Sequence, residues 1–168
     1  MEEYTVKVYF NETQKWYQNG ELHREDGPAV IHPNGTQKWY RKGEFHRGDG
    51  PAVIHEDGTE SWFQEGEFHR EDGPALVHED GTEKWFQEGE LHRDNGPAVV
   101  YPGEVKKWFK RGKLHREDGP AILYPGDCKL WFIDDEELTE EEFNRRTKDT
   151  CSHPEEIEIN GKVYVPKE

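Results

Sequence analysis

Long apolar runs are missing from this chain. No stretch approaches the roughly 20 apolar residues of a membrane-spanning helix, and none follows Met1 as in a signal peptide, so neither anchor nor export is expected and the cytoplasm is the expected compartment. Cysteine is scarce: Cys128 and Cys151 lie outside the bulk of the repeating pattern described below, and neither belongs to a CxxC pair. A reduced pair is the preferred reading over a disulfide or a metal site. Positive charge is also short, with 22 Lys and Arg against 37 Asp and Glu for a formal charge of -15. Direct binding to nucleic acid or to an anionic membrane needs a basic patch, so both are disfavoured and partners should be neutral or basic. With 31% hydrophobic residues, 35% charged residues and a mean hydropathy of -1.18, there is little material for a thick core.

Aromatic residues are not scarce. Six Trp, seven Tyr and eight Phe argue against disorder, because disordered segments are depleted in aromatics. Trp16, Trp39, Trp62, Trp85, Trp108 and Trp131 recur every 23 residues without a slip, which sets period and copy number. A glycine follows each of the first five by four residues, and three residues later come His23-Arg24, His46-Arg47, His69-Arg70, His92-Arg93 and His115-Arg116. Gly-Pro-Ala then begins at Gly27, Gly50, Gly73, Gly96 and Gly119. Such a chain can be stable with little core, because each unit buries its face against its neighbours.

Within a unit, Ala29-Val30-Ile31-His32 reads as a short strand, Asn34-Gly35 as a hairpin turn, and Gln37-Lys38-Trp39-Tyr40 as the return strand. The following ten residues could hold a third strand. A meander of three antiparallel strands per unit would reverse direction at every repeat, so two strands and an arch through His-Arg-x-Asp-Gly-Pro are expected. A parallel solenoid is the competing architecture. It would stack Glu21, Glu44, Glu67 and Glu90 about 4.8 Å apart, whereas hairpin units double that spacing to roughly 9.6 Å. The tryptophans should then form a stripe, with Trp62 largely buried.

The expected fold is therefore an all-β repeat protein, an elongated antiparallel β-hairpin ladder with a short C-terminal helix and hairpin cap. Residues 1–15, with Val6, Val8 and Phe10, read as an N-terminal half-repeat cap, and 16–133 as five repeats plus the start of a sixth. The last two units carry Pro102-Gly103 and Pro125-Gly126 in the turn, and Tyr101 and Tyr124 where His32, His55 and His78 stand, so the ladder is expected to change there. Residues 134–168 form the C-terminal cap. Leu138-Thr139-Glu140-Glu141-Glu142-Phe143 supplies a capping box and a hydrophobic staple for a helix over about 139–148. A hairpin around Asn160-Gly161, over about 156–165, is expected to cover the last sheet edge.

The Trp-x-x-x-Gly turn, the period of 23 and the Pro/Asn/Asp-Gly turn together resemble a divergent MORN-type repeat over about residues 5 to 133. The pattern Trp-aromatic-x-x-Gly-x-x-His-Arg-x-Asp-Gly-Pro-Ala is more similar still to repeats of bacteriophage and giant-virus proteins, which can end in a Leu-Thr-x-x-x-Phe helix. The resemblance implies a hairpin ladder used for interaction, and a viral accessory or anti-defence role in a host cytoplasm. Fifteen residues separate Gly20 from Gly35, more than in a typical MORN unit, so the arch should be longer.

A residue present in every copy more often holds the unit together than acts at one site, so the His-Arg pairs read first as structural, with Arg24 and Asp26 bracing the arch and His23 packed on a neighbouring Trp. The column His32, His55, His78 is spaced too widely for one metal with ligands near 2 Å, so no metal and no cofactor is expected. No Ser elbow, Cys-His pair or phosphate loop is present, and an enzyme is not expected.

Glu21, Glu44, Glu67 and Glu90 form a column that breaks at Lys113, and Glu65 and Glu88 reinforce it, as do Glu56, Asp57, Glu79 and Asp80. This is either a solvated face that keeps the sheet soluble or a surface for a host protein with a basic face, DNA mimicry being its sharpest form. The alternative is a sponge for a nucleotide signal, with His46, Arg47, His69, Arg70, His92 and Arg93 holding phosphate and Trp62 and Trp85 stacking on the base. Nothing in the pattern specifies an oligomeric state.

Overall fold

The structure, a computed structural model, describes residues 4–149, 157–159 and 162–164. It is an antiparallel hairpin ladder whose main sheet has 14 strands, followed by one short helix. Each unit adds two strands to the sheet: Val30–Ile31 pairs with Gln37–Lys38, which pairs with Val53–Ile54 of the next unit, and so on along the chain. Two strands per unit put equivalent residues roughly 9.6 Å apart, the spacing expected from the sequence. The closest-packed column is alanine: Ala29, Ala52, Ala75, Ala98 and Ala121 are all fully buried where the arch enters the sheet. Each of their carbonyls accepts from a tryptophan backbone N–H, as in Trp39 to Ala52 at 2.8 Å. Val30, Val53, Val99 and Ile122 follow them into the core.

The region after each tryptophan departs from the expected plain arch. Tyr40–Arg41 and Glu44–Phe45 form a second hairpin, repeated at Phe63–Gln64, Phe86–Gln87 and Phe109–Lys110 with their partners. Its turn is Lys42-Gly43, with φ of 51° and 82°. Two consecutive positive φ values define the type I′ hairpin turn, which normally selects Asn-Gly. Parity still holds because these hairpins lie off the main path, in two-stranded sheets of their own. Side chains of this second row stack: Tyr40, Phe45, Phe63, Phe68 and Phe86 follow one another at centroid distances of 4.4, 5.0, 4.2 and 4.6 Å. The aromatic stripe from Tyr40 to Phe86 is thus made by the residues after Trp39, Trp62 and Trp85 together with Phe45 and Phe68 of the return strands. The tryptophans are only partly buried, Trp62 included, contrary to the sequence expectation.

The main turns are closed by His32 N–H to Thr36 C=O at 2.9 Å and Gly35 N–H to His32 C=O at 3.0 Å. Asn34 Oδ1 accepts from Thr36 N–H at 3.1 Å, and Asp57 and Asp80 do the same at 2.8 and 2.7 Å. Pro102-Gly103 builds a different turn, with positive φ at Gly103 and Glu104. The ladder nevertheless continues unchanged: Val99 opposes Lys107 and Ile122 opposes Leu130, the pairings of earlier units. A turn closed by one bond between its flanking residues can change type without moving the strands.

At the N-terminus Thr5–Val8 pairs along Gln14–Gln18 and covers that backbone edge, while Val6, Val8 and Phe10 remain exposed. At the other end the last strand of the main sheet is Glu136–Leu138, paired with Lys129–Ile133. Thr139 and Glu142 form the expected capping box at the start of helix Glu140–Asp149: Thr139 N–H donates to Glu142 Oε2 at 2.9 Å, and Glu142 N–H to Thr139 Oγ1 at 3.2 Å. Leu138 and Phe143 are buried, as the staple requires. Arg146 clamps Glu136 with two bonds, 2.7 and 2.8 Å, tying helix to strand. Ile157–Ile159 and Lys162–Tyr164 form the expected hairpin, but as a separate two-stranded sheet that does not extend the ladder. Its turn, Asn160-Gly161, lies outside the described residues, as does Cys151. Among the described residues no helix is long and apolar enough to cross a membrane.

Two outcomes follow from this architecture. Excising residues 39 to 61, one whole 23-residue unit, should leave a shorter protein with cooperative melting by circular dichroism, whereas excising 39 to 50 should abolish the transition, because only the first restores every neighbour contact. Glu88 sits at φ 50° in a type I′ turn. Glu88→Asn should therefore raise stability by roughly 1 kcal/mol in denaturant unfolding, since asparagine tolerates the left-handed conformation that glutamate resists.

Candidate functional site: the arches and the acidic edge

Each arch is wrapped around one arginine. Arg47 lies with its guanidinium 4.1 Å from the Trp39 ring centre, and Arg24, Arg70, Arg93 and Arg116 repeat this on Trp16, Trp62, Trp85 and Trp108 at 3.9 to 4.3 Å. The same guanidinium donates Nη1–H to the proline carbonyl four residues on, 3.3 Å for Pro51. In four of the arches Nε–H meets an aspartate: Asp26, Asp49, Asp72 and Asp118 at 2.8, 2.8, 2.9 and 2.7 Å. Arg24 and Asp26 therefore form the brace expected from the sequence. The hydrogen bond from arginine holds each of these carboxyls below the usual carboxylate range. A depressed folded-state value stabilises the protein above the unfolded carboxyl's range, and that support is lost as pH falls through the folded-state value. The effect is small, because the four aspartates are 75 to 84% exposed and solvent screens the pair.

The glycine of Gly-Pro-Ala is what lets the arginine lie down. A Cβ on Gly73 would stand 2.9 Å from Arg70 Cζ, and on Gly50 3.0 Å from Arg47 Cζ. The identical recurrence of this glycine five times is the sequence signal that could have disclosed the close approach, since a turn alone accepts other residues.

Four of the five arch histidines join one unit to the next. His23 Nδ1 accepts the N–H of Lys42, at the turn of the following unit, at 3.1 Å. His46 accepts from Glu65 at 3.3 Å, His92 from Arg111 at 3.1 Å and His115 from Asp134 at 3.3 Å. Two backbone bonds reinforce the first joint, Arg24 N–H to Tyr40 C=O at 3.2 Å and Gly43 N–H to Leu22 C=O at 2.9 Å. All three bonds recur at every junction except that between the third and fourth units, where among the described residues none is made and the second rows meet through Phe68 stacked on Phe86.

Cavities of about 460 to 580 Å³ open between successive arches. One brings His46, Arg47, Trp62, His69 and Arg70 together, and the next His69, Arg70, Trp85, His92 and Arg93, so the residues of the nucleotide-sponge alternative do share walls. Their chemistry is largely committed, however. One face of each of the five arch tryptophans is covered by its arginine, and four of the five arginines already hold a carboxylate.

Glu21, Glu44, Glu67 and Glu90 occupy the other edge, on the outgoing strand of the second hairpin, with Glu65 and Glu88 in its turns, and all six are exposed. None of the six makes an ion pair among the described residues. Each glutamate of the column leans on the turn glycine of the next unit: Glu44 is 3.8 Å from a Cβ built on Gly66, and Glu67 3.7 Å from one on Gly89. The carboxylates are thereby aligned along the ladder. Asp57 and Asp80 serve the main turns instead, their carboxyls lowered chiefly by the backbone N–H of Thr59 and Thr82.

No protein-family model and no curated protein matches the chain.

Gly73→Ala should destabilise the protein by about 1 to 3 kcal/mol, the usual cost of overpacking, and nearly all of that cost should vanish in an Arg70→Ala background. A double-mutant cycle in urea checks the coupling.

Proposed function

We propose that the protein is a non-enzymatic interaction module that binds a basic protein surface through the edge carrying Glu44, Glu67 and Glu90, with Glu21, Glu65 and Glu88 beside them. One observation carries this reading: these carboxylates are exposed and aligned, and among the described residues none makes an ion pair, not even Glu44, which stands opposite Arg41 across its hairpin. A charged group with no partner in its own fold is available to another molecule, and charge complementarity governs encounter and rejects like-charged surfaces. The resemblance to phage and giant-virus repeats suggests a host defence or nucleic-acid-handling protein as that partner, met in the host cytoplasm.

Magnitude separates a basic protein groove from strict duplex mimicry. Along this edge about two carboxylates recur every 9.6 Å or so, against one phosphate per about 1.7 Å of duplex axis. The edge is therefore suited to a surface with a few spaced cations, rather than one that needs the full charge of DNA.

Replacing Glu44, Glu67 and Glu90 together by Lys moves the formal charge from -15 to -9. The melting temperature should stay nearly unchanged, since exposed substitutions usually fall within about 0.5 kcal/mol. Affinity for the partner recovered with wild-type protein should collapse, and raising salt should weaken the wild-type complex. Equal binding by the triple variant, indifferent to salt, would refute the acidic edge as the interface.

A further inference from the structure

The five arches repeat one arrangement, and the fourth departs from it at a single contact. Where Asp26, Asp49, Asp72 and Asp118 stand two residues after the arginine, the fourth arch has Asn95. Arg93 keeps its place over Trp85 at 3.9 Å and its bond to Pro97 C=O at 3.2 Å. Its Nε–H, however, meets no acceptor among the described residues; the neighbouring Asp94 lies 3.0 Å from His92 Nε2, as Glu117 lies 3.1 Å from His115 Nε2 in the fifth arch. Gly96 shows the same local change, with φ of 155° where the other arch glycines do not enter positive φ.

We propose that Arg93 anchors a binding site for the carboxylate of a small organic acid. The other arches define the ligand chemistry: in four copies the position facing this Nε holds a carboxylate oxygen at 2.7 to 2.9 Å. The guanidinium is held in the same orientation by the same tryptophan and carbonyl contacts, so the donor is preorganised and an incoming carboxylate need not order it. The space beside it is a cavity of about 530 Å³, within the size range of small-molecule sites, lined also by Asp94 and by the pairs Lys110–Glu117 and Arg116–Asp118. A chain of charge -15 repels a large acidic partner, whereas a small acid carries only one or two charges into a pocket where Lys110 and Arg116 already hold carboxylates and Arg93, among the described residues, holds none. This site lies in the arches and is independent of the acidic edge.

The test follows the arginine Nε–Hε signals of the full chain by ¹⁵N NMR while sodium acetate or succinate is added to about 100 mM at constant ionic strength. The Arg93 signal should shift saturably, with half-saturation on the order of 10 mM for a single charge-assisted contact, while Arg24, Arg47, Arg70 and Arg116 stay still. Asn95→Asp supplies the missing carboxylate in cis and should abolish the response. Asp72→Asn recreates the fourth arch in the third and should make Arg70 respond. An unmoved Arg93, an equal drift of all five arginines, a response to inorganic phosphate alone, or full binding by Asn95→Asp would each overturn the assignment.

Discussion

The fold depends on a cation laid against an aromatic ring. With so few aliphatic residues the chain cannot close its arches over a conventional core, and it closes them over a guanidinium instead. The stack on tryptophan, the bond to the proline carbonyl and the missing Cβ of Gly50 or Gly73 converge on one planar group. Stacking is worth about 0.5 to 2 kcal/mol per copy, and it recurs in all five arches. The aspartate is the weaker contributor, because an exposed pair adds little. That ordering explains how the fourth arch persists with the stack and the carbonyl bond but no carboxylate.

A second constraint acts between units. Type I′ turns place Lys42, Glu65, Glu88 and Arg111 in a conformation that ordinary side chains resist. Three of the four, Lys42, Glu65 and Arg111, donate their backbone N–H to the histidine of the preceding unit, so a strained turn is also an inter-unit joint. Glu88 is the exception, and its junction is the one lacking the two companion backbone bonds as well. There the main sheet pairing of Lys84 with Val99 and the Phe68–Phe86 stack hold the ladder together. Local opening is expected to begin where such bonds are fewest.

Much of this was legible beforehand. The spacing of the tryptophans, the Asn34-Gly35 turn, the Arg24–Asp26 brace and the Thr139–Glu142 box are local patterns, and local patterns survive folding. The second hairpin was not legible, because Lys42-Gly43 or Glu65-Gly66 lacks the asparagine that normally announces a type I′ turn. Parity rules out a third strand only where every strand lies in one sheet, and Tyr40–Arg41 leaves the main path immediately after Trp39. The burial of Trp62 was overrated for a related reason: a ring that carries a guanidinium on its face does not have to be enclosed by apolar side chains. At the candidate site, sequence reasoning named the acidic residues and the His-Arg pairs, but it could not separate side chains already committed from those still available.

That separation decides how the surface can be used. Most repeated positions that face inward are spoken for: alanine by the sheet, the five arch tryptophans by arginine, and four of the five histidines by the next turn. The column at Glu21, Glu44, Glu67 and Glu90 has no such duty beyond leaning on a glycine that would accept other neighbours, and it does change to lysine at Lys113. Aliphatic stems covering a turn glycine can carry either sign of charge at the tip. The ladder fixes the spacing of these tips, and the tips remain free to set the sign of the edge, so on this scaffold position and polarity are chosen by different residues.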